Sequence, residues 1–163
     1  QPNDIAVCYD ILDQGRAFQR EQGFMQWTDS YPNPDTIRDD IQNGTGYVVK
    51  VDGEIAGYMC IDFAGEPAYR VIEGRWHAEG PYAVVHRMSF SRKFRGRGLT
   101  GKTFPLIESL CLQRQDRIIR IDTGLPNQRM QHILEKNGFC QCGIVYYQNG
   151  QRIAYDKVLP HTT

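Results

Sequence analysis

Residues 82–104, "YAVVHRMSFSRKFRGRGLTGKTF", join an apolar strand pattern, a basic glycine-rich loop and the start of a helical pattern without interruption. A strand feeding a helix in this way requires a sheet with helices layered on it, so the chain reads as α/β. The loop also restricts chemistry. Backbone N–H groups freed by Gly96 and Gly98, together with a helix N-terminus, form a natural anion cradle. Arg87, Arg92, Lys93, Arg95, Arg97 and Lys102 fall within sixteen positions, yet the 163-residue chain balances 19 Lys and Arg against 19 Asp and Glu. A neutral protein with one local basic run points to a small anionic ligand, with neither nucleic acid nor membrane as partner.

Two phosphate-binding patterns overlap in this loop. From Gly96, "GRGLTGKT" satisfies the nucleotide-binding pattern G-x-x-x-x-G-K-[ST]. In such a loop the apolar strand runs directly into the first glycine, whereas here "SRKFR" separates Phe90 from Gly96. Only one further βα unit and a hairpin follow Thr103. Asp122, closing "RIIRID", imitates a magnesium-binding aspartate only weakly. A P-loop phosphotransferase is therefore the minor reading.

The rest of the chain supplies the other elements. "DIAVCYDILDQGRAFQREQG" has a helical apolar stripe, and "NPDTIRDDIQNG" is a short helix with Asn33 as N-cap, Pro34 at its first position and Gly44 at its end. "GYVVKVDGEIAGYMCIDF" is a hairpin over strands 46–51 and 54–63, turning at Asp52-Gly53. Residues 64–80 show no period. Residues 99–114 are helical, with Pro105 implying a late start or distorted first turns. "LPNQRMQHILEKNGF" is a helix capped by Gly138, and the last hairpin turns at Asn149-Gly150. One domain over residues 1–163 is expected, with a mixed, mostly antiparallel central sheet of six to seven strands flanked by four helices. Five scattered cysteines fit a reducing compartment, and no apolar run approaches 18 residues, so a cytoplasmic location is expected. Cys140 and Cys142 should share a strand face. With no second Cys/His pair nearby, no metal site is expected.

"HRMSFSRKFRGRGLTGKTF" resembles the acetyl-coenzyme A motif of the GNAT acetyltransferase superfamily: a strand, five or six linking residues, R-G-x-G and a helix. "PNQRMQHILEKNGF" resembles that superfamily's second motif, an Asn opening a helix that ends in G-F. The resemblance extends over about residues 4–158, and it places a further strand before Asp4. It implies an acetyl-coenzyme A-dependent N-acetyltransferase acting by direct attack of a small-molecule or peptide amine, as monomer or homodimer. A non-catalytic acyl-coenzyme A sensor is the alternative from another class. The resemblance puts the backbone of Met88 and Phe90 along the pantetheine arm and Asn127 within its reach. Leu134 stands where many relatives carry a Tyr that protonates the leaving thiolate.

The residues themselves fill in the chemistry. The amides of Arg95, Gly96, Arg97, Gly98, Leu99 and Thr100 can cradle a pyrophosphate, with the Arg95 and Arg97 side chains adding charge-assisted hydrogen bonds. An alkyl ammonium must lose a proton before it attacks, and Glu79 and His86 are the candidate bases, with Glu79 favoured because a carboxylate beside Gly80 at the mouth of the strand can stay wet and feed a water relay. Asp122 could orient a base or bind the amine. Tyr147, with Tyr146 and Tyr155, is a candidate acid. Cys111, Cys140 and Cys142 have no evident His and Asp partners in sequence, which argues against a covalent route. Trp27, Tyr31, Tyr69, Trp76 and Tyr82 are the aromatics for an acceptor pocket, each with core packing as its competing role.

Overall fold

The computed structural model describes residues 1–160. In chain order the elements are α1 (Ile5–Glu21), α2 (Pro34–Asn43), β1 (Gly46–Val51), β2 (Glu54–Asp62), β3 (Ile72–Gly74), β4 (Tyr82–Phe90), α3 (Leu99–Gln113), β5 (Ile118–Gly124), α4 (Gln128–Lys136), β6 (Cys140–Tyr147) and β7 (Gly150–Val158). Short 3-10 turns cover Pro2–Asp4, Pro67–Arg70 and Arg92–Phe94. The seven strands form one sheet in the order β1-β2-β4-β5-β7-β6-β3. β4 runs parallel to β5, whereas the β1–β2, β5–β7, β6–β7 and β3–β6 pairs are antiparallel. This is the mixed sheet with four helices that the sequence implied.

The local signals explain most boundaries. Asn33 Oδ1 accepts from the Thr36 amide at 3.1 Å, and Thr36 Oγ1 accepts from the Asn33 amide at 3.1 Å. Two otherwise orphaned donors are thus satisfied at the start of α2. Gly44, at φ +69, ends that helix. α3 begins at Leu99 and carries Pro105 inside it, so the late-start alternative falls. The ring removes one amide donor, and that cost stays on the exposed side of the helix.

β3 is the strand that residues 64–80 concealed. Three residues are too few to show a period, and its register with β6 defines it: Ile72↔Val145, Glu73↔Ile144 and Gly74↔Gly143. The glycine pair is sterically required. A Cβ on Gly74 would lie 2.1 Å from the Cys142 carbonyl oxygen, and one on Gly143 would lie 2.0 Å from that of Glu73. The β6–β7 register also shifts between Gln141 and Gly143, which makes Cys142 the extra residue of a bulge. The expected common face of Cys140 and Cys142 is therefore wrong: Cys140 is exposed and Cys142 buried.

Two compact units interleave along the chain, Gln1–Ile61 with His86–Leu99, and Asp62–Val85 with Thr100 onward. The first has a core of Cys8, Ile11, Leu12, Trp27, Ile37 and Tyr58. The core of the second is Tyr69, Trp76, Val84, Cys142, Val145 and Ala154. Among the described residues no helix is long and apolar enough to cross a membrane.

Candidate active site

The basic loop follows β4 through the Arg92–Phe94 turn and enters α3 at Leu99. Gly96 and Gly98 have φ of +81 and +68, and an added Cβ at either would meet nothing within 4 Å. Glycine is thus required here by backbone conformation, and the space over both residues is open. The basic side chains divide their work. Arg92 pairs with Glu21 at 2.9 Å and Lys93 with Glu54 at 2.7 Å. Arg95 donates to the Gln14 carbonyl at 2.9 Å and lies 4.2 Å from the Phe18 ring centroid. Its guanidinium therefore anchors the loop to α1, and its contribution to an anion is left to the main chain. The Arg97 guanidinium sits 5.2 Å from the Phe94 ring centroid.

The same loop argues against a nucleotide P-loop. Thr103, whose hydroxyl would have to hold magnesium, is only 3% exposed. It is built into the packed face of α3.

β4 leaves its β5 partner midway. Its register with β5 runs from Tyr82↔Ile118 to Val85↔Ile121 and stops there, so His86, Met88 and Phe90 lie beyond it. Arg87 adopts φ +54, a left-handed conformation in the middle of a strand. Its guanidinium donates to Asp40 Oδ1 at 2.6 Å and to the Tyr31 hydroxyl at 2.9 Å. Tyr58 donates to the other Asp40 oxygen at 2.5 Å. Burial works against the Arg87 charge, but Tyr31 and Asp40 outweigh it and hold its pKa above the ordinary value. Burial, then Asp40, raises that of Tyr58. This network places Tyr31, an expected acceptor residue, as a support of β4. Asp40 escaped the sequence reading, although a carboxylate between Ile37 and Ile41 on the buried face of α2 was its signal.

In the second unit Asp122 Oδ2 accepts hydrogen bonds from both Tyr69 and Tyr147, each at 2.6 Å. Burial raises both phenol pKa values, with Asp122 as the next cause. Both tyrosines stay protonated and point their protons at the carboxylate. Tyr147 therefore acts first as a donor to Asp122. The pairing spans 53 residues from Tyr69 and 25 from Tyr147, which no local pattern could reveal.

The remaining expected residues fall into several settings. Glu79 precedes β4 with its side chain 89% exposed, 3.9 Å from Arg120. Trp27 and Trp76 are buried in the two cores, and Trp76 Nε1 donates to the Tyr69 carbonyl at 3.1 Å. The Tyr82 hydroxyl accepts from the Glu66 amide at 3.3 Å. Asn127 caps α4 through Oδ1, which accepts from the Met130 amide at 3.1 Å. Leu134 is fully buried and fills core volume. The reading that Cys142 lacks partners is corrected: its Sγ lies 3.3 Å from His77 Nδ1, which in turn lies 2.7 Å from Asp156 Oδ1. Burial, then Asp156, pushes the Cys142 thiol up to about 12, so it is a poor nucleophile at neutral pH.

Comparison with known proteins bears on this arrangement directly. Residues 12–139 match the acetyltransferase (GNAT) family. A GNAT-family acetyltransferase from Streptococcus agalactiae is 36% identical, with a TM-score of 0.88, covering 99% of this chain and 93% of its own. One from Listeria monocytogenes is 24% identical, with a TM-score of 0.76, covering 98% and 91%. RimL, a ribosomal L7/L12 alpha-N-protein acetyltransferase solved with coenzyme A, is 16% identical, with a TM-score of 0.68, covering 98% and 90%. These last two likenesses speak to the fold alone. No curated protein matches the sequence. Strand, glycine loop and helix thus recur here within a likeness that spans nearly the whole chain, which belongs to the GNAT acetyltransferase family.

Proposed function

We propose that the protein transfers the acetyl group of acetyl-coenzyme A to a primary amine of a small molecule or peptide by direct attack. The observation that carries this reading is the loop at Gly96 and Gly98, open above two left-handed glycines and leading straight into α3. Amides of Arg95 to Thr100 take the pyrophosphate there, aided by the helix dipole and the Arg97 side chain. The main chain of Met88 and Phe90 pairs with the two pantetheine amides, a role supported by the end of the β5 register at Val85. The resemblance also assigns Asn127 to coenzyme binding, and its Nδ2 is the side-chain group that its cap does not use.

In the transfer, the amine nitrogen bonds to the thioester carbonyl carbon, the C–S bond breaks and the amine proton passes to a base. His86 is the preferred base, since it lies on β4 just beyond the last β5 register pair, whereas Glu79 precedes the strand. Asp122, held by two phenols, is suited to receive the ammonium before that proton leaves. Leu134 cannot donate a proton, Tyr147 has committed its own to Asp122, Tyr155 is sealed in the interior, and Tyr146 is hydrogen-bonded to Glu73 of β3. The thiolate therefore departs without a side-chain acid, which a thiol pKa of ~8.5 permits near neutral pH. The five free cysteines suit a reducing cytoplasm.

The test is thiol release from acetyl-coenzyme A with a panel of amines, paired with thermal shifts for acetyl-coenzyme A and for ATP with magnesium. Acetyl-coenzyme A at a hundredfold excess over its dissociation constant should stabilise by ~2.7 kcal/mol. Greater stabilisation by ATP with magnesium would overturn the assignment. Binding without turnover on any amine would favour the sensor reading, which the buried Leu134 supports.

A further inference from the structure

We propose that His77, Cys142 and Asp156 form a binding site for a thiophilic divalent cation, of which Zn²⁺ is the type. None of the three has a role in the acyl transfer described above. Their nitrogen, sulfur and oxygen donors all lie within 4.8 Å of one another. Imidazole, thiolate and carboxylate are the three side-chain ligands that Zn²⁺ takes.

The spacing is that of a site one small step from closure. With Zn–S ~2.3 Å and Zn–N and Zn–O ~2.1 Å, tetrahedral ligands sit roughly 3.4–3.6 Å apart. Here His77 Nδ1 lies 3.3 Å from Cys142 Sγ and 2.7 Å from Asp156 Oδ1. Admitting the ion requires the imidazole to withdraw by ~0.7 Å from the carboxylate and ~0.3 Å from the sulfur, replacing the hydrogen bond to the carboxylate. His77 can do this because its side chain is about half exposed, which also leaves a path for entry. Cys142 and Asp156 are buried and form the fixed wall. The carboxylate is oriented as well, since Asp156 Oδ2 accepts from the His77 amide at 2.7 Å.

The backbone that brings these groups together is specifically built. The β6 bulge turns Cys142 inward, and the Arg75 amide donates to the Cys142 carbonyl at 2.9 Å. The Gly74–Gly143 contact admits no side chain and lets β3 close on the bulge, so the chain leaving β3 delivers His77 to the sulfur. Charge supports the same conclusion. Asp156 faces Arg120 in the β5–β7 register, but that guanidinium donates to the Ala78 carbonyl and lies over Trp76 and Tyr82. Binding displaces the Cys142 proton to solvent, and the dication beside the resulting thiolate and the Asp156 carboxylate neutralises the pocket.

The test is a titration of tag-free protein, stripped with chelator and kept reduced, with Co²⁺ as the probe. One equivalent should bind, giving a near-ultraviolet sulfur-to-cobalt charge-transfer band that Zn²⁺ then abolishes. Cys142→Ser should lose the band, and Cys142→Ser and His77→Gln should each weaken binding by at least ~10-fold. Cys140→Ser, at the exposed neighbouring cysteine, should leave both unchanged. Circular dichroism checks folding, and if Cys142→Ser does not fold, the half-exposed His77→Gln decides the matter. Failure to saturate below millimolar Co²⁺, or unchanged binding in His77→Gln, would overturn the proposal. So would a band that survives in Cys142→Ser or disappears in Cys140→Ser.

Discussion

Single side chains carry the sharpest consequences at the loop. Gly98→Ala should fold, at a cost of about 1–2 kcal/mol for φ +68, because its Cβ meets no atom. Gly98→Glu places a carboxylate where the pyrophosphate is proposed to bind. Acetyl-coenzyme A affinity measured by calorimetry should then fall by at least ~100-fold, given that like-charge contact costs several kcal/mol. Lys102→Ala should leave that affinity nearly unchanged, and a large loss there would revive the nucleotide reading. His86→Gln should lower turnover by ~10²–10⁴-fold at neutral pH while sparing coenzyme affinity. The deficit should shrink as pH rises and more acceptor amine is already neutral, and an unchanged rate would remove His86 as base. The glycine loop was legible because its chemistry is local: thirteen residues contain the turn, the anion cradle and the helix start. The two phenols on Asp122 were not, since each arrives from a distant element. Nor does anything around Arg87 in sequence announce a left-handed residue inside a strand.

At the level of elements, β4 depends on one buried ion pair. The Arg87 and Asp40 side chains are 15% and 7% exposed, and their contact is 2.6 Å. Arg87→Ala should cost about 3–5 kcal/mol in urea unfolding, because it abandons the Asp40 charge in the interior. Arg87→Met with Asp40→Leu should recover a large part of that loss, and equal destabilisation by single and double variants would contradict the account. The amphipathic helices and both hairpins were readable because each repeats its period over many residues. β3 was not, being three residues long and defined by its partner. The β6 bulge was equally hidden: two cysteines in i, i+2 spacing promise a shared face, and one inserted residue reverses the second. That same reversal gave Cys142 the His and Asp partners that spacing alone had denied it.

For the molecule as a whole, the three phenols shifted furthest upward lead its behaviour in alkali, and the buried Tyr155 is shifted in the same direction. Tyr58, Tyr69 and Tyr147 all have pKa values raised above 10, burial being the first cause in each case. An unfolded chain ionises its tyrosines near pH 10 while the folded chain keeps these protons, so stability falls as pH climbs past that point. Each such phenol contributes a slope of ~1.4 kcal/mol per pH unit, or ~4 kcal/mol per unit for the three. Urea midpoints should begin to fall above about pH 8.5, where the thiols of Cys8, Cys111 and Cys142 ionise in the unfolded chain but not in the folded one, and should drop more steeply above pH 10, with a shallower drop in Tyr147→Phe. A flat profile to pH 11.5 would show that these protons are not retained. The position of β7 has a different kind of consequence. It lies between β5 and β6, and β3 is attached only beyond β6. No growing chain can close this half of the sheet until residues 150–158 have been synthesised. Until then β5 presents a bare hydrogen-bonding edge, and β6 has no place beside it. The hazard in this protein's biogenesis is therefore a late one, and a ribosome stalled before Gly150 would hold a chain with an open strand edge available to a chaperone or to a neighbouring nascent chain.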